Sequence, residues 1–141
     1  MKLAAICSAL DVDYDSTRHV LAKYPANWIP KTLGRGRHRW FSWTAALKLA
    51  VLTTLQQGGA APSVLAGLTK WFETEPVPGG VLELGDGFTV HDGAQWICMF
   101  SRRMMPEPRV RISVPVDQLR ELLHPVHQKE IDALRNLSHR G

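Results

Sequence analysis

Cysteine is nearly missing from this chain of 141 residues: Cys7 and Cys98 are the only two, far apart and outside any C-x-x-C spacing. That leaves no disulfide framework or cysteine-based zinc site to propose, and it points to a reducing compartment. Long apolar runs are missing too. Lys2 followed by Leu3 to Leu10 begins like a signal peptide, but the run is eight residues, lacks a clear cleavage site and stops at Asp11. It reads as a helix. No other stretch approaches the ~18 to 20 apolar residues of a membrane span, so a soluble, cytoplasmic protein is expected. Repeats at solenoid periods and low-complexity tracts are also absent.

Acidic residues are scarce in one half only. Lys and Arg number 17 against 13 Asp and Glu, a formal charge of +4 with a pI near 9.4, which favours an anionic partner without identifying it. Through Phe72 nine basic residues face only Asp11, Asp13 and Asp15, giving +6; beyond it eight face ten, giving −2. Hydrophobic residues make up 45% and charged residues 21%, enough for an ordinary core. Pro76, Pro78, Gly79 and Gly80 break any helix and mark a boundary. Two modules of about 70 residues, 1–74 and 75–141, are expected.

In the first module Leu3, Ile6 and Leu10 share one helical face. Asp11-Val12-Asp13 breaks that helix, and Asp13 or Asp15 can cap a second over Ser16 to Tyr24, stopped by Pro25. Val20, Leu21 and Tyr24 take its inner face, leaving Thr17, Arg18 and Lys23 largely outside, with His19 near the edge. Two short helices on so tight a turn predict a helix-turn-helix, whose second helix enters the major groove. The stretch Ile29 to Phe41 then holds Gly34 and Gly36 between flanks able to pair as strands. Arg35, Arg37 and Arg39 alternate along it, so an extended arm lines their guanidinium groups up on one side, as a DNA-binding wing requires. Ser42 can cap a third helix with a stripe of Leu47, Ala50, Val51 and Leu55, ended by Gly58-Gly59. Pro62 opens a fourth, with Val64, Leu65, Leu68, Trp71 and Phe72 on one face. Both should cover the back of the winged motif.

These residues resemble the mercury-resistance-regulator (MerR-like) winged-helix family over residues 2 to 72. Leu3 to Val12 looks like the family's first helix and turn. Ser16-Thr17-Arg18-His19 stands where a threonine, leucine, arginine, tyrosine run is usual. His38-Arg39-Trp40-Phe41-Ser42 is similar to the closing pattern of the wing, and Leu55 to Gly59 with Pro62 to Leu68 resembles the junction of the third and fourth helices. Asp11 replaces the usual turn glycine, Val20 replaces an aromatic, and Leu21 to Asn27 carries a short insertion. No long dimerisation helix with a sensor loop is expected after Phe72. The resemblance therefore implies the family's DNA-binding module; phage and mobile-element regulators, including excisionase-type factors, carry such modules on other C-terminal partners, and that arrangement fits better.

Beyond the boundary, Val81 to Leu84, Phe88 to His91 and Ala94 to Phe100 are short strand-like runs separated by Gly85-Asp86-Gly87 and Asp92-Gly93, a three-stranded meander. Arg109 to Val114 predicts a fourth strand with Val110, Ile112 and Val114 inward. Pro115 and Pro125 should each start a helix, the first with Val116, Leu119, Leu122 and Leu123 inside and the second carrying Val126, Ile131, Leu134 and Leu137. Such a module has open sheet edges, and homodimerisation is its simplest purpose, with a different protein partner as the other possibility.

Other motifs weigh less. Asp11-x-Asp13-x-Asp15 begins like a calcium loop but has Ser16 at the sixth position and Ala22 at the twelfth. Gly34-x-Gly36 lacks the third glycine and helix of a dinucleotide loop. His124 and His127 flank Pro125, a helix start rather than a metal pair. The six histidines do not cluster with carboxylates for acid-base work, and Ser8, Ser16 and Cys98 lack a nucleophile's context. Trp28, Trp40, Phe41 and Trp43 suit a hinge core under the wing, and Trp96, Cys98, Met99 and Phe100 suit the core of the sheet.

The expectation is an α+β protein: an N-terminal winged helix-turn-helix, then a small antiparallel sheet with C-terminal helices. It should be a dimeric, sequence-specific transcriptional regulator on double-stranded DNA, with no enzymatic activity, cofactor or metal. Ser16, Thr17, Arg18 and His19 are the candidates for base contacts and Lys23 for phosphate; Arg35, Arg37, His38 and Arg39 are the candidates in the wing. An excisionase-like architectural recombination factor and a protein-interaction adaptor are the alternatives.

Overall fold

Helix starts follow the capping rules read from the sequence. In the computed structural model, which describes residues 1–31 and 39–140, the first helix, α1, spans Leu3–Leu10 and the second, α2, spans Tyr14–Lys23. Asp13 caps α2, its carboxylate accepting from the Ser16 N–H at 2.8 Å. Asp11 sits between the helices at φ 54, ψ 49, the left-handed conformation that a glycine adopts most easily. Its N–H and that of Val12 donate to the Ser8 and Cys7 carbonyls, closing the end of α1.

Ser42 caps α3 (Trp43–Gln57) through the Ala45 N–H, and Pro62 occupies the first turn of α4 (Pro62–Trp71). The expected stripe on α3 turns out to be nearly its whole circumference. Leu47, Leu49, Ala50, Val51, Leu52 and Leu55 are all buried, because α4 and the C-terminal helix both pack on α3. Even Lys48 is buried; its ammonium donates to the Phe72 carbonyl at 2.7 Å, at the end of α4, and burial pushes its pKa below the usual lysine range.

The sheet is four-stranded and antiparallel in the order β3-β2-β1-β4, with β1 Leu82–Gly85, β2 Thr89–His91, β3 Trp96–Cys98 and β4 Arg111–Val114. The first three strands form the meander, and β4 returns beside β1 with Leu82 opposite Val114. One face carries Leu82, Leu84, Val90, Ile97 and Val114 into the core. Val110 and Ile112, expected inside, are instead exposed: Val110 precedes β4, and burial on this strand is confined to Val114. Gly85 is required by close approach: a Cβ there would lie 2.4 Å from the Pro108 ring.

Past the sheet the chain forms one helix, α5 (Val116–Arg140), where two were expected, with Pro125 inside it. Proline removes one helical hydrogen bond. Packing keeps both sides aligned: Leu119 and Leu123 are buried, Val126 lies against the core, and Pro125 faces solvent. Nor was so long a helix expected after Phe72. It lies across α1 and α3, and Glu130 pairs with the Met1 ammonium at 3.1 Å.

The two expected cores are therefore one. A single buried cluster contains Ile6, Leu21, Leu49 and Phe72 together with Leu82, Leu84, Val116 and Leu123. The sheet is also clasped to α4. A Cβ on Gly67 would lie 2.9 Å from the Phe100 ring, and Arg102 stacks 4.7 Å from the Trp71 ring while pairing with Glu75 at 2.6 Å. Phe100, expected in the sheet core, is largely exposed because the chain leaves the sheet at Cys98; Trp96 and Met99 are buried as expected. Among the described residues no helix is long and apolar enough to cross a membrane.

Candidate nucleic-acid interface

Helical geometry decides which α2 side chains are offered to a partner. Thr17, Val20 and Leu21 are buried, so the opposite face is centred on residues spaced at i, i+3, i+4 and i+7: Asp15, Arg18, His19 and Ala22. All four are exposed, and with Arg39 they line an open concavity of about 520 Å³. Lys23 is exposed on the last turn.

Two expected contacts are reassigned. Thr17 is buried at 1% exposure, its hydroxyl donating to the Asp13 carbonyl at 2.8 Å, so it belongs to the inner face. The Ser16 hydroxyl donates to the Asp13 carboxylate at 2.9 Å and serves the cap from the flank of the helix. The Ser16 N–H and hydroxyl together hold the Asp13 carboxyl below the usual range. Asp15 and Ala22 were overlooked, although the same periodicity that puts Val20 and Leu21 inside puts them at the centre of the outer face.

Residues 39–41 are held firmly against the N-terminus. Trp40 bridges Lys2 in antiparallel fashion; the Phe41 N–H donates to the Met1 carbonyl at 2.7 Å, and the Met1 ammonium donates to the Phe41 carbonyl at 2.6 Å. That ladder fixes the half-buried Arg39 beside α2. Phe41 is buried and Trp28 and Trp43 are partly so, as a hinge core requires, whereas Trp40 is 56% exposed with the Lys2 ammonium 5.7 Å from its ring. The Trp28 Nε1–H donates to the Thr69 carbonyl at 3.0 Å and its ring meets Phe72 edge-on. Arg35, Arg37 and His38, with Gly34 and Gly36, lie outside the described residues.

The site can thus present donor-only groups (Arg18, Arg39, Lys23), an imidazole and one acceptor-only carboxylate on an exposed helix. Among the described residues no group of three or more metal-binding side chains occurs, and both cysteines are free thiols, Cys7 buried and with its pKa raised by that burial. Comparison with protein-family models, curated proteins and solved structures gives no match to this chain.

Proposed function

We propose that this chain is a sequence-specific double-stranded DNA-binding regulator of transcription, in which α1 and α2 act as a helix-turn-helix and the arm between Ile29 and Phe41 as a wing. The observation that carries the reading is the outer face of α2, which sets Arg18 and His19 in the open with Arg39 anchored alongside. Phosphate contacts from such cations supply affinity, and side chains at the helix centre read base edges. The +6 charge of residues 1–72 supports an anionic partner on this half of the molecule.

A homodimer completes the reading, since a symmetric pair binds two half-sites one helical turn apart. Much of the C-terminal half is committed to the common core, and Leu134 and Leu137, each 65% exposed at the far end of α5, are among the apolar side chains it offers to a second copy. The protein acts in the cytoplasm as a binder, without cofactor.

Titration of a fluorescent duplex library at several salt concentrations tests the proposal. Binding should weaken steeply with salt, and Arg18→Ala and Arg39→Ala should each lower the log–log slope by roughly 0.9 if one phosphate contact is lost. A wild-type chain that binds no duplex at low salt, or variants with an unchanged slope and affinity, would reject it. Bending of the bound DNA by the protein itself, together with recruitment of an integrase, would move the assignment to an architectural recombination factor.

A further inference from the structure

The centre of the α2 outer face is occupied by a carboxylate, on a surface that the proposed function turns toward phosphates. The three acids of this region are not equivalent. Asp11 is the left-handed residue that ends α1, and Asp13 is the cap, accepting from the Ser16 N–H and hydroxyl. Asp15 is exposed and lines the same concavity as Arg18, which stands one turn away on the same face. An acid in the first turn is favoured by the positive end of a helix, but that preference is satisfied equally well from the flank, at position 14 or 16. It does not account for an exposed carboxylate midway across the face.

Base chemistry does account for it. In the major groove guanine offers two acceptors, thymine an acceptor and a methyl group, and adenine an acceptor beside a donor; only cytosine presents a donor with no acceptor. A carboxylate can only accept, so every base edge except that of cytosine sets a lone pair against it. A guanidinium can only donate, and the two acceptors of guanine fit it. Residues three apart on a helix have Cβ atoms about 5 to 6 Å from each other, which lets Asp15 and Arg18 address one base pair or two successive ones.

We infer that Asp15 is a specificity-determining residue that accepts a hydrogen bond from the N4 amino group of cytosine in each half-site, with Arg18 donating to a guanine in the same or the adjacent pair. This rests on the proposal that α2 enters the major groove. The carboxylate acts by selection: it is repelled by phosphate and by three of the four bases, so it lowers non-specific binding while favouring one edge.

Selection of bound sequences from a random duplex library, run in parallel with the full-length wild type, Asp15→Asn and Asp15→Ala, tests the inference. The wild type should require a cytosine at one position per half-site, and replacing that base should weaken binding on the order of 10- to 100-fold. Asp15→Asn, whose amide both donates and accepts, should shift that position to adenine, and Asp15→Ala should lose the preference there. If the three proteins select the same sites with the same relative affinities, or if the wild-type site lacks a required cytosine, Asp15 only stabilises the helix start and the inference fails while duplex binding stands. If the wild type selects nothing, the major-groove reading fails and takes this inference with it.

Discussion

Leu123 lies in α5, far along the chain from α1 and α2, yet it is completely buried in the cluster that also contains Ile6, Leu21 and Leu49. Leu123→Ala removes three buried carbons and leaves a cavity between helices that cannot fully collapse. Leucine-to-alanine changes at such sites cost about 2.7 to 5.0 kcal/mol in a series measured on another protein. A chain of this length unfolds with an entropy of roughly 0.3 kcal/mol/K, from about 2.1 cal/mol/K per residue, so the midpoint should fall by about 9 to 17 °C. Because the core is continuous, the loss should be shared. Amide hydrogen exchange at pH 7 should show the protected amides of α1, α3 and β1 all losing protection by the same free energy, and the far-UV melt should stay a single transition. Under the proposed function, duplex binding should vanish at the same lowered temperature. Amides of α1 and α3 that kept wild-type protection while those of the sheet lost theirs would refute the single core and restore two independently folding modules. By the same reasoning a chain ending at Glu75 should be largely unfolded, since Leu82, Leu84, Val116, Leu119 and Leu123 would be missing from the cluster.

Asp11→Gly should stabilise the protein by about 0.5 to 1 kcal/mol in urea denaturation, because φ 54 costs glycine no steric strain, whereas Asp11→Val should destabilise it. Gly85→Ala should cost at least about 1 to 3 kcal/mol, as a Cβ there lies 2.4 Å from the Pro108 ring and 2.5 Å from the Thr89 hydroxyl; an unchanged melting midpoint would contradict that contact. Asp13 has a lowered folded pKa, set first by the Ser16 N–H and then by the Ser16 hydroxyl. Its cap therefore contributes fully above the unfolded value of about 3.9 and is lost as pH falls through the lower folded value. Asparagine caps equally well without titrating, so Asp13→Asn should match the wild type at pH 7 and lose less stability between about pH 5 and pH 2.

Local features were legible in the amino-acid order because each depends on neighbours a few residues away. The Asp13, Ser42 and Pro62 helix starts, the apolar face of α1 and the Asp-Gly turns of the meander all follow from capping, periodicity and turn chemistry. So does the outer face of α2: the periodicity puts Asp15 at its centre and Thr17 between Val20 and Leu21 on the inner side, although threonine is polar. A threonine hydroxyl can satisfy itself on the carbonyl four residues back, so it can be buried at little cost. The basic content of residues 1–72 was likewise visible from counting alone.

What only the tertiary structure decided was how many cores there are and what covers what. Pro125 reads locally as a helix start, yet burial of Leu119, Leu123 and Val126 on either side holds α5 as one helix, because packing several apolar side chains outweighs one missing hydrogen bond. The alternation of Val110 and Ile112 cannot say whether anything lies over them; the packing of the helices does, covering Val114 and leaving those two in solvent. The stripe on α3 cannot reveal that α1, α4 and α5 surround it. Periodicity specifies which face of an element is apolar, while the number of partners on that face is set by contacts between residues distant in sequence, as when Leu123 of α5 fills the same core as Ile6 of α1.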